Sequence, residues 1–174
     1  ASDTRELVFQ NAKVPKSQLL GGVGEGFKIA MSLLDSGRIG IAAQAVGIGR
    51  AALEEAVSYA KERKQFGKKL SEFQLTQAKI ADMATNLDAA RLLVYRAAAL
   101  LARGKRCTKE ASMAKSFASR AANKACYDAL QIHGGNGYVR EFPVERYFRD
   151  ARVTEIYEGT TGIQSLIVAH EVLG

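Results

Sequence analysis

The chain has no tryptophan and, in 174 residues, only two prolines, two cysteines and two histidines. Scarce proline leaves long stretches uninterrupted, and abundant alanine favours a mostly helical protein. Cys107 and Cys126 lie far apart and out of any metal-type spacing. A disulfide framework is therefore not expected, and a reducing compartment fits. Two histidines cannot by themselves make a metal site. No apolar run is long enough to span a bilayer, so membrane insertion is not expected. No secretory leader is visible at the N-terminus. That end opens in mid-pattern with Ala1-Ser2-Asp3-Thr4 and no initiator methionine. The expectation is a piece of a larger protein.

What is present is ordinary globular material, 47% hydrophobic and 25% charged, enough for one domain with a core. The net charge is +7, but the lysines and arginines are scattered among acidic residues, with no basic run interleaved with aromatics. A solvated helical surface accounts for most of that charge, and nucleic acid is not expected as a partner. A minority of the cations could serve an anionic small molecule such as a nucleotide pyrophosphate.

Along the chain, Thr4 to Gln10 is short, apolar and partly alternating, which predicts a strand with no partner of its own. Two loops follow, Asn11–Ser17 with a proline and Leu20–Gly26 with four glycines. From Phe27 the apolar residues recur at three- and four-residue spacing, predicting a helix to about Lys64 with an irregularity at Ser36-Gly37. Phe66-Gly67 breaks it. A second helix is predicted over Ser71–Ala102, with Ser71 and Gln74 forming a capping box, and Arg103-Gly104 ending it. Thr108 is the expected cap of a third helix over Lys109–Ile132. His133 to Gly137 reads as a loop. Short helices are predicted over Pro143–Ala151 and Thr161–Val172. The expected fold is all-α, an up-and-down four-helix-bundle-like domain preceded by one residual strand.

Four segments could carry chemistry. Glu158 stands between Tyr157 and Gly159, just before small residues that leave an approach open. A carboxylate there can act as a general base, favoured in its ionised form by a helix start and opposed by apolar burial. The alternative is that it helps cap the last helix. Arg63-Lys64-Gln65-Phe66-Gly67 offers a guanidinium for a phosphate beside an aromatic ring, although cations at a helix C-terminus are also ordinary dipole partners. Gln131-Ile132-His133-Gly134-Gly135-Asn136-Gly137-Tyr138 lets a ligand approach the backbone, yet on spacing alone a glycine-rich helix ending is the preferred reading. On spacing alone, His133 reads as a packed turn residue. Asp35-Ser36-Gly37-Arg38 interrupts an apolar pattern. Either that face is exposed or something polar docks on it.

Together and in this order, these segments resemble the C-terminal helical domain of the acyl-CoA dehydrogenases. The matching stretches are Val14-Pro15, Gly24-Glu25-Gly26-Phe27, Asp35 to Arg38, Arg63 to Gly67, Gln131 to Tyr138, Arg149-Asp150-Ala151 and Ile156 to Thr160. They cover essentially the whole chain and are closest to the short-chain, butyryl-type members. The resemblance implies that residues 1–25 end a central β domain and that 26–174 form the helical domain. It implies FAD-dependent α,β-dehydrogenation of an acyl-CoA thioester to a trans-2-enoyl-CoA. Glu158 would be the base for the pro-R α-proton, and the β-hydride would pass to N5 of FAD. The Glu158 N–H and a flavin ribityl hydroxyl would polarise the thioester carbonyl. One branch of the family carries its base just before the arginine matching Arg38, and glycine at position 37 leaves Glu158 as the matching carboxylate.

By the same resemblance Asp35, Ser36, Gly37, Arg38 and Gly159 would contact substrate. Arg63, Phe66 and Gln74 would hold FAD, with Arg63 near the pyrophosphate of a neighbouring subunit's cofactor. Gln131, Ile132, His133, Gly134 and Gly135 would meet its adenine end, and Thr160, Thr161 and Gly162 would line the nucleotide path. Many relatives carry a polar side chain where this chain has Gly162, which leaves only backbone for a contact there. Shared sites imply a homotetramer, a dimer of dimers. Electrons would pass to electron-transferring flavoprotein, in the bacterial cytoplasm or the mitochondrial matrix. The chain on its own is expected to be inactive. Two other readings stand beside this one: a non-catalytic helical oligomerisation module, and an acyl-CoA oxidase in which oxygen re-oxidises the flavin.

Overall fold

The computed structural model describes residues 5–174. Five α-helices follow one another: α1 (Gly26–Glu62), α2 (Gln74–Ala102), α3 (Thr108–His133), α4 (Val144–Val153) and α5 (Thr161–Leu173). Between α1 and α2 lies a two-residue hairpin, β1 (Lys64–Gln65) paired antiparallel with β2 (Lys68–Lys69). The bundle expected from the periodicity is what forms.

Alanine sets the spacing. Helix α3 is the central element and packs against α1, α2, α4 and α5. Its buried face is built of Ala111, Ala114, Ala118, Ala122, Ala125 and Ala129. Facing it on α1 are Ala42, Ala45, Ala52, Ala56 and Ala60. Small side chains on both ridges let the axes approach closely. Gly49 takes this furthest, because a Cβ there would lie 3.2 Å from the Cα of Ala122. Larger residues, Met83, Leu87, Ile132 and Val144, fill the gaps left between alanines.

Several local expectations are corrected. Residues 5–10 form no hydrogen-bonded ladder, since no second strand in the described chain is offered to them, and Thr4 lies outside the described residues. Helix α1 runs through Ser36-Gly37 without interruption because the Ser36 hydroxyl bonds back to the Leu33 carbonyl at 2.8 Å instead of breaking the turn. The box Ser71/Gln74 does not form. Ser71 sits in a 3-10 turn, Leu70–Glu72, which Glu72 closes by accepting from the Lys69 N–H at 2.8 Å, and α2 begins at Gln74. Thr108 does not cap α3. Its hydroxyl donates to Asp35 Oδ2 at 2.7 Å, tying α3 to α1. The glycines after His133 form a 3-10 turn, Gly134–Tyr138, in place of an open loop.

Candidate active site

Helix α4 ends at Val153, and the chain turns through residues 154–160 into α5. Residue 158 is held at φ 52°, in the left-handed region, and Gly159 follows at φ 89°. Two left-handed residues in succession fold the chain back, so the Glu158 side chain lies over α1. There it meets Gly37: a Cβ at that position would stand 2.6 Å from Glu158 Oε2 and 3.0 Å from its Cδ. Glycine at 37 is therefore what makes room for the carboxylate. Oε2 is buried and has no hydrogen-bond partner, although the residue as a whole is only half-buried. Among the described residues the Glu158 N–H has no acceptor either. The capping alternative fails, because the cap of α5 is Thr160, whose hydroxyl accepts from the Ile163 N–H.

Beneath the turn lies a polar layer. Arg38 is buried on α1 and donates to Asp35 Oδ1 at 2.9 Å, while its Nε is left without a partner. The exposed-face alternative for Asp35–Arg38 is thereby excluded at Arg38. Asp35 spends both oxygens, one on Arg38 and one on Thr108. Lys115 on α3 donates to the Gly159 carbonyl at 2.6 Å. Burial pulls the Lys115 ammonium below its ordinary range, opposed by the charges of Glu155 and Glu158 and reinforced by Arg38. Gln164 on α5 donates to the carbonyls of Glu158, at 3.1 Å, and Gly159, at 3.2 Å. Tyr157 donates to Gln44 Oε1 at 2.8 Å, and burial raises its phenol above the usual range.

The other expected site residues gather elsewhere. Arg63, Ile132, His133, Gly134 and Gly135 line one cleft of about 410 Å³ with Tyr59, Gln65, Leu70 and Asn136. His133 stacks on Tyr59 with ring centroids 4.1 Å apart and donates from Nδ1–H to the Ala129 carbonyl at 2.8 Å. Its Nε2 is buried and unpartnered. Arg63 is exposed and has no ion pair among the described residues. Gln131 is exposed and does not line this cleft. Phe66 and Gln74 line a neighbouring groove of about 680 Å³ that shares Gln65 and Leu70 with the first. Phe66 is also left-handed, at φ 51°, which turns its ring into solvent at the hairpin tip. Free guanidinium, exposed glycine backbone, an unsatisfied imidazole nitrogen and an accessible ring suit the anionic and aromatic parts of a nucleotide cofactor.

The two clusters stand far apart along α1, one about a third of the way from its start and the other at its C-terminal end. At about 1.5 Å per residue, Gly37 and Glu62 are roughly 38 Å apart along it. Thr160, Thr161 and Gly162 belong to the Glu158 end. At Gly162 a Cβ would meet nothing closer than Thr160 Oγ1 at 3.9 Å, so the missing side chain reflects no lack of space. Sequence reasoning missed Lys115, Gln164 and Thr108. Lys115 could have been found as a lysine on the alanine-and-serine face of α3, in phase with Ala111, Ala118 and Ala122. Gln164 gave no such signal.

A helical domain that poises one unpartnered carboxylate over a glycine on its longest helix has the geometry from which a carboxylate can take up a proton. Residues 24–173 match the family of the acyl-CoA dehydrogenase C-terminal domain, and the chain belongs to that family. It is 60% identical over 173 residues to an acyl-CoA dehydrogenase from Bacillus subtilis, covering 99% of this chain and 46% of that protein. A subunit of the caffeyl-CoA reductase–Etf complex of Acetobacterium woodii is 52% identical, with coverages of 98% and 45%. The solved structure of butyryl-CoA dehydrogenase from Megasphaera elsdenii superposes with a TM-score of 0.94 at 51% identity, covering 96% of this chain and 44% of that one. The chain thus spans about half the length of the relatives it matches.

Proposed function

We propose that the protein to which this domain belongs oxidises a short acyl-CoA thioester to its trans-2-enoyl form, with Glu158 as the base. The carrying observation is the carboxylate over Gly37 with Oε2 unpartnered, next to a backbone N–H that has no acceptor. Glu158 takes the α-proton. Its own N–H, aimed at the thioester oxygen, stabilises the negative charge that develops there as the proton leaves. Arg38 and Asp35 shape the wall beside it. FAD, when bound, supplies the acceptor for the β-hydride. Arg63, Phe66 and Gln74, with Ile132 to Gly135, would hold it, and Thr160 to Gly162 would border its path. Gln131 would contribute through its backbone.

The 38 Å separation of the two clusters supports sharing between copies: the residues suited to the nucleotide cannot serve the Glu158 end of the same copy. A homotetramer is the assembly proposed, with residues 1–25 closing a central β domain. Electron-transferring flavoprotein is proposed as the acceptor, which fits a relative that is itself part of an Etf complex. Two buried, unpaired cysteines fit a bacterial cytoplasm or mitochondrial matrix.

The intact flavin-loaded protein should be bleached by butyryl-CoA under anaerobic conditions. Glu158→Gln should keep its flavin and slow bleaching by about 10²- to 10⁴-fold, the usual contribution of a positioned base. A parental rate in that variant would refute the assignment.

A further inference from the structure

The largest fully buried side chains of this domain are not hydrophobic. They are Lys115 and Gln164, both with no exposed surface, and they arrive from different helices at the same carbonyl, that of Gly159. Burying an ammonium and a primary amide is costly unless each is fully hydrogen-bonded. Here satisfaction is incomplete: Gln164 Oε1 has no partner. Stability alone is a poor reason for such a pair, since apolar side chains of similar volume would fill the space at less cost.

What the pair does locally is fix two peptide groups. Gln164 Nε2 bridges the carbonyls of Glu158 and Gly159, and Lys115 Nζ adds a third bond from below. A left-handed non-glycine residue is strained and persists only where its surroundings over-determine it. Both carbonyls, those of the peptide groups that follow residues 158 and 159, are thereby held, while the Glu158 N–H, which belongs to the preceding peptide group, has no acceptor among the described residues. The fit is close at Gly159 too, since a Cβ there would overlap the Gln164 amide nitrogen.

We propose that Lys115 and Gln164 are positioning residues for the base. Together they hold residue 158 left-handed, so that one residue presents its carboxylate over Gly37 and its N–H to the substrate carbonyl. Neither touches the reacting atoms. The inference rests on Glu158 being the base.

The test uses the intact, flavin-loaded protein carrying Lys115→Met, Gln164→Met or the milder Lys115→Gln, which keeps a neutral donor. Glu158→Gln runs in parallel. Two rates are read at saturating ligand: flavin reduction by butyryl-CoA, and loss of α-deuterium from methylthioacetyl-CoA, which has no β-hydride to give. Dissociation constants and thermal midpoints are measured alongside. Both rates should fall by about 10- to 100-fold in the methionine variants, as expected for a small misplacement of a catalytic group, and by less in Lys115→Gln. Ligand affinity should fall by less than either rate, because the hydrogen bond from the Glu158 N–H strengthens as negative charge develops on the thioester oxygen. Folded variants that keep both parental rates overturn the proposal, as does a loss confined to the thermal midpoint or to affinity. Lys115→Gln keeps the question open to measurement if the methionine variants do not fold. Slow Glu158→Gln with parental Lys115 and Gln164 variants removes the clamp alone; a parental Glu158→Gln removes the base assignment beneath it.

Discussion

At the scale of single residues, the site depends on side chains that are absent as much as on those present. Gly37 is the sharpest case. Replacing it with alanine places a methyl group 2.6 Å from Oε2 of Glu158, closer than nonbonded atoms tolerate. The helix itself should gain slightly from the change, by up to about 1 kcal/mol of propensity. Gly37→Ala is therefore expected to retain the thermal midpoint within a few degrees while flavin reduction slows by at least about tenfold, read by stopped-flow absorbance. The cysteines make a second residue-scale prediction. Burial, with Asp150 adding, pushes the Cys126 thiol up to about 12, and burial also raises Cys107, with Asp35 and Glu110 behind it. Neither should react with a disulfide reagent at pH 8 in the folded protein, whereas both should after denaturation. The sign for stability follows. An unfolded thiol ionises from 9.0, so between 9.0 and about 12 the unfolded chain holds fewer protons at Cys126 and stability falls as pH rises. Lys115 works in the opposite direction: its folded value lies below 10.5, so rising pH toward 10.5 relieves its burial. A urea midpoint series across that range reads the balance.

At the scale of elements, the sequence was legible where period and composition agreed and opaque where tertiary contacts decided. The helices were visible because apolar residues recur every three or four positions in long proline-free stretches. The caps were not. Thr108 looks like a helix cap locally, yet its hydroxyl is claimed by Asp35, 73 residues away in sequence. Ser71 loses to a 3-10 turn closed by Glu72. The four-residue hairpin core was hidden because Lys64-Gln65 and Lys68-Lys69 have no strand character and are paired only through the turn at Phe66-Gly67, both left-handed. The carboxylate proposed as the base, Glu158, was legible from the small residues that follow it. Its supports were not, since Gln164 lies in a helix that otherwise looks apolar, and a glutamine there reads as surface. The closest helix contact offers an element-scale test. Gly49→Val would drive a branched side chain into Ala122 and Leu87 and should cost about 1–3 kcal/mol, seen as a lower urea midpoint with unchanged slope.

For the whole molecule, the pattern of exposure is informative. Leu7, Phe9, Val23 and Phe27, and on α5 Leu166 and Leu173, are large apolar residues at the surface, while the buried residue of α5 is a glutamine. These residues would be covered in the tetramer proposed above. The domain on its own should show a strongly helical circular dichroism spectrum and concentration-dependent association by sedimentation. It should not purify with stoichiometric flavin, because the cleft at Arg63 and the carboxylate of Glu158, proposed to serve the cofactor and the substrate, lie far apart along the bundle. A full flavin absorbance band from the isolated domain would contradict this.

The glycine floor under the carboxylate has an implication for how such a site can change over generations. Even a methyl group on Gly37 would stand 2.6 Å from Oε2 of Glu158. An acidic side chain grown from position 37 would enter the space that Glu158 now occupies. Two distant stretches of chain are thus rival owners of a single location, and the proton acceptor could pass from one to the other while the substrate kept its pose.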